Sequence, residues 1–131
     1  MSSMTLKQAL AYADRAIAKA SELGQPISLV VVDEFGQLVQ LDRMDGAPLM
    51  SPDLAEAKAV TALNFKTPSA EVARMGAEAL KAVQEVVHFK IVPIAGGVPI
   101  FQGRDLIGAI GISGASAAHE DLIARHAIDL P

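Results

Sequence analysis

The amino-acid sequence predicts an α+β domain in which about five antiparallel strands are sandwiched between helices. Three observations carry the prediction. Apolar residues recur at helical spacing near the start of the chain, and a capped helix closes it. Short apolar runs come in pairs joined by glycine-bearing turns, which makes hairpins and hence an antiparallel sheet. The stretch 96–115, GGVPIFQGRDLIGAIGISGA, holds two extended segments, and glycines punctuate the second. Glycine weakens a strand, so it is kept there where a backbone, a helix or a ligand approaches closely.

From residue 5 to residue 23, Leu6, Ala9, Leu10, Ala13, Ile17 and Ala20 follow helical periodicity, while Lys7, Asp14, Arg15, Lys19 and Glu22 fall elsewhere. Thr5 suits an N-cap and Gly24 a C-terminal stop. Pro26 opens a strand over 27–32, Asp33 to Gly36 form a turn, and residues 38–42 return as the second strand. Arg43-Met-Asp-Gly-Ala47 is a polar loop. Ser51-Pro52-Asp53 then starts a helix, with proline at its first position. It runs to Phe65, with Leu54, Ala57, Thr61 and Phe65 along one side and Lys58 at the border of that stripe. Residues 69–87 are further helix interrupted near Gly76, and residues 88–92 read as a strand before Pro93. Gly96 and Gly97 turn the chain into a hairpin over 98–102 and 106–113, and Ser116 caps a last helix to residue 128. Helices at the two ends of the chain are placed to cover the two faces of the sheet.

No linker or internal repeat divides residues 1–131, which therefore read as a single domain. The 51% hydrophobic content is high for so short a chain and points to further burial in a homo-oligomer. No uncharged run reaches the length of a membrane span; the run 91–103 contains two prolines and three glycines and is a buried hairpin. A net charge of −4, no basic cluster, one tyrosine and no tryptophan argue against a nucleic-acid partner. With no cysteine, thiol catalysis, disulfides and iron–sulfur ligation are excluded. The first ten residues lack the charged-then-apolar layout of a signal peptide, so the chain reads as cytoplasmic.

Five motifs occur in a fixed order: Val30-Val-Val-Asp33-x-x-Gly36, Arg43-x-Asp45-Gly46-Ala47, Ala57-Lys58-Ala59-x-Thr61-Ala62, Ile94-x-Gly96-Gly97-Val98-Pro99-Ile100 and Gly108-Ala-Ile-Gly-Ile-Ser-Gly-Ala115. Together they resemble the GlcG/HbpS family of small haem-degrading domains, found also as the C-terminal part of PduO-type proteins. The resemblance covers essentially the whole chain. It implies a profilin-like fold with a five-stranded sheet between helices, a compact homo-oligomer up to an octamer, and haem as a cofactor.

Haem iron takes His, Met, Cys or Tyr ligands, and the sequence offers His88, His119, His126, Tyr12 and five methionines. His119 and His126 are seven residues apart on one helix, whereas a pair four apart would suit a metal better, and no metal motif is present. His88, at a strand edge, is the histidine best placed to line a site. The alternative is a cofactor-independent acid–base enzyme, of lyase or isomerase type, acting on a small carboxylate or oxo-acid. There Arg43 and Lys58 would hold the substrate carboxylate, and His88 or Glu120 would move a proton. Thr61 offers a hydrogen bond, and Gly97 and Gly111 offer room for a ligand. The bland counterparts are solvated charges, intersubunit ion pairs, a helix N-terminus complemented by Glu120, and tight packing at the glycines. Asp33 before Gly36 reads as a turn residue that accepts backbone hydrogen bonds.

Overall fold

The two apolar runs that lack a polar face become the centre of the sheet. In the computed structural model, which describes residues 3–129, β1 (Ser28–Asp33) lies between β2 (Leu38–Arg43) and β4 (Asp105–Ser113). The second edge strand is β3 (Gly97–Gln102), so the order is β2-β1-β4-β3, antiparallel throughout. Period-two alternation divides the residues between two layers. Val30 stands opposite Gly111 and Val32 opposite Ala109, and these residues face one helix. Leu29, Val31, Ile110 and Ile112 face the other layer.

The sheet is sandwiched between helices as expected, but the helices divide between its faces differently. The terminal helices α1 (Leu6–Glu22) and α5 (Ala117–Ala127) share a single face, and α2 (Ser51–Phe65) covers the opposite face. The alanine stripe supplies the reason. Ala9, Ala13, Ala16 and Ala20 are all buried, so α1 can come close enough to pack beside α5 over Leu29, Val31 and Ile110. The caps agree with the sequence reading: the Thr5 hydroxyl accepts from the Gln8 amide at 3.1 Å, and Ser116 Oγ accepts from the His119 amide at 3.2 Å. Asp33 Oδ1 accepts from the amides of Phe35 and Gln37 at 2.9 and 3.0 Å, the turn role its position suggested.

Among the described residues, four strands form where five were expected. Residues 88–96 run without a ladder after α3 (Ser69–Val72), a 3-10 turn (Ala73–Met75) and α4 (Ala77–Val86). The break between the turn and α4 falls at Gly76, as the sequence suggested. Side chains of three helices take the hydrogen bonds that a neighbouring strand would supply. Gln84 Nε2 donates to the Phe89 carbonyl at 2.8 Å, and its Oε1 accepts from the Ile91 amide at 2.7 Å. Thr61 Oγ1 accepts from the Val92 amide at 3.0 Å. Ser69 Oγ donates to the Ile94 carbonyl and accepts from the Gly97 amide at 2.8 Å. The segment is a strap stitched to α2, α3 and α4. Among the described residues, no helix is long and apolar enough to cross a membrane.

Candidate functional site

Lys58 lies inside the buried face of α2, not at its border. That face is made of Ala55, Lys58, Ala59, Thr61 and Ala62, turned from the expected Leu54–Ala57–Phe65 side. Small residues dominate it because α2 rests directly on the sheet. A Cβ at Gly111 would overlap the Ala55 carbonyl oxygen, and one at Gly97 would overlap that of Lys58. The room left by both glycines is thus occupied by helix backbone.

Lys58 is 1% exposed and carries its ammonium past Gly96 to the end of the sheet. Gly96 has φ +125°, and a Cβ there would sit 3.0 Å from Lys58 Cδ and would overlap the Ile112 carbonyl oxygen. The ammonium donates to that Ile112 carbonyl and to Glu120 Oε1, each at 3.1 Å. Glu120, 7% exposed, uses Oε2 to accept from the amides of Gly114 at 3.0 Å and Ala115 at 3.3 Å. One ion pair therefore ties α2, on one face, to the β4–α5 turn and α5, on the other. The carboxylate that Lys58 meets is the protein's own. A buried pair whose two charged groups each also reach backbone partners acts as a strut, costly to break from either side.

Other candidate residues lie elsewhere. Thr61 is buried, with Oγ1 2.7 Å from the Ala57 carbonyl and 3.3 Å from that of Lys90, so it serves the strap. Arg43 is exposed at the end of β2 and donates from Nη2 to the Ala47 carbonyl of its own loop at 3.3 Å. Among the described residues, no hydrogen bond or ion pair joins Arg43 or His88 to Lys58 or Glu120. His119 sits in the first turn of α5 with Nδ1 buried and without a hydrogen-bond partner among the described residues, and His126 is exposed in the last turn. No three His, Asp or Glu side chains among the described residues gather as a metal centre would require.

His88 stands at the start of the strap, exposed to solvent. It lines an open groove of about 690 Å³ with Phe35, Val60, Asn64, Val86, Val87 and Phe89. The Phe89 ring meets Phe65 edge-on, with centroids 6.4 Å apart, which fixes this side of the groove. Phe35, 80% exposed on the β1–β2 turn, also borders a second groove of about 570 Å³ lined by Lys66, Phe101, Arg104 and Leu106, with Glu34 and Asp105. A third, of about 220 Å³, lies between α2 and the strap, beside Asp53, Glu56 and Lys90. The sequence reading missed Phe35, Phe89 and the tethers Gln84 and Ser69. A signal for Phe35 existed, because an aromatic residue in the turn Asp33-Glu-Phe-Gly36 has no core to enter.

Known proteins of this architecture narrow the reading. An uncharacterised 15.0 kDa protein from the dhaT–dhaS intergenic region of Citrobacter freundii is 32% identical over 131 residues, covering 98% of this chain and 92% of that one. The corrinoid adenosyltransferase PduO of Salmonella typhimurium is 36% identical over 116 residues; the match takes in 86% of this chain but 34% of that protein's length. Among solved structures, the PduOC:haem complex superposes with a TM-score of 0.89 at 29% identity, covering 98% of this chain and 94% of that one. The sequence model described as "Haem degrading protein HbpS-like" matches residues 4–129. The chain belongs to the HbpS-like family of haem-degrading proteins.

Proposed function

We propose that this chain is a homo-oligomeric haem-binding protein, and that its haem site is the groove between His88 and Phe35. The observation that carries the reading is the groove: an exposed imidazole beside an apolar wall, in a chain whose fold matches a haem complex. Its volume of about 690 Å³ lies in the range of small-molecule and cofactor sites. Phe35, Val60, Val86, Val87 and Phe89 would supply apolar surface for a macrocycle, and the His88 imidazole would supply a nitrogen ligand for haem iron. The residues present thus fit the group. When bound, haem supplies the iron chemistry, while this chain's residues orient the ring, cover its apolar surface and hold the iron.

Self-association is supported by Leu49, Met50 and Leu6, which are 91%, 66% and 56% exposed and gain by burial against another copy. The acid–base reading is disfavoured because Lys58 and Glu120 are engaged with each other and with backbone groups. Titration with haemin, read by absorbance and light scattering, tests the proposal. An assembly larger than the 13.7 kDa chain should bind haemin to saturation at a fixed stoichiometry per protomer, and His88→Ala should alter the Soret band. Non-saturating uptake that albumin strips away completely would overturn it.

A further inference from the structure

We infer that the second groove, beside Phe35, receives the carboxylates of the ligand whose ring lies against His88, and that Lys66 and Arg104 are the groups that select them. The inference rests on the haem reading above and names what would hold the ligand's acidic edge. The two grooves are neighbours: Phe35 borders both, and the end of α2 supplies Asn64 to one and Lys66 to the other. An apolar ring with acidic substituents needs an apolar wall continuous with cations, and this surface provides that sequence of chemistries.

Both cations are exposed, and among the described residues neither has an acidic partner within ion-pair distance. Glu34 and Asp105 line the same groove and would repel a carboxylate, so recognition falls to the two free positive groups. Lys66 adds an independent sign. It caps α2 in the left-handed region at φ +54°, its amide reaching the carbonyls of Ala62 and Leu63. Glycine or asparagine is the usual residue at such a cap, so helix termination alone does not ask for lysine there. A residue held in an unfavoured conformation at the edge of a groove invites a functional account.

Lys66→Gly separates the two roles, since glycine suits the cap and lacks the charge. Binding of haemin and of its dimethyl ester, which has no free carboxylates, should be compared in wild type, Lys66→Gly and Arg104→Gln. The wild type should prefer haemin by about tenfold or more, and each variant should weaken haemin binding roughly tenfold while leaving the ester unchanged. Lys66→Gly should melt at the wild-type temperature or higher. Equal affinity of wild type for acid and ester, with His88→Ala still altering the Soret band, would overturn this inference and leave the His88 reading standing. Failure of wild type to bind either form to saturation would remove both.

Discussion

Replacing Lys58 with methionine should unfold this protein far more readily than its surface variants. The substitution keeps most of the buried aliphatic stem and deletes the ammonium, which is 3.1 Å from both Glu120 Oε1 and the Ile112 carbonyl. The Ile112 carbonyl then loses that donor, a cost of about 1–3 kcal/mol where it stays unsatisfied. Glu120 keeps the Gly114 and Ala115 amides but loses its counter-ion while still 7% exposed. The expected total is about 3–5 kcal/mol, the usual cost of breaking a buried pair from one side. For a chain of this size that is a fall of roughly 10–20 °C in Tm. The assay is urea unfolding at fixed protein concentration, with Lys58→Met, Glu120→Gln and the double variant compared as a cycle. Glu120→Gln retains an oxygen for the two turn amides, so the double variant should be less damaged than the sum of the singles by about 1–3 kcal/mol. If Lys58→Met stays within about 0.5 kcal/mol of wild type, as ordinary surface changes do, the pair is not a strut. Lys58 would then return as a group held for a ligand.

Two further outcomes follow from the packing. Gly111→Ala should cost about 3 kcal/mol or more by chemical denaturation, because its methyl would overlap the Ala55 carbonyl and lie 2.9 Å from the Ala59 nitrogen. Gly103→Ala, at φ +63° with no heavy atom within 4 Å, should cost only about 1 kcal/mol; equal losses at the two positions would refute the close-approach account. Thr61→Val should loosen the strap, accelerating hydrogen exchange at the Val92 amide and lowering stability by about 1–3 kcal/mol; unchanged exchange there would show that the strap is held by other contacts.

Local signals in the sequence specify most of the element types and limits, the strand expected over 88–92 being the exception. Helical periodicity, the Thr5 and Ser116 caps, the Pro52 start and the Gly76 break are local features, and each acts within a turn or two of its own position. The glycines of β4 announced close contact, since a strand keeps glycine only under such pressure. Which group makes the contact depends on how distant elements pack. At Gly111 it is the backbone of α2, and across residues 89–94, in and just beyond the expected strand 88–92, side chains from three helices take the hydrogen bonds. Periodicity could not tell these outcomes apart, because an extended segment has the same local geometry whether its partners lie on a strand or on a helix face. The pairing of Lys58 with Glu120 joins residues 62 positions apart through the end of a sheet, and no spacing rule reaches that far. The same holds for the grooves: His88, Phe35 and Lys66 come from a strap, a hairpin turn and a helix end, and their convergence is a property of how those three parts pack.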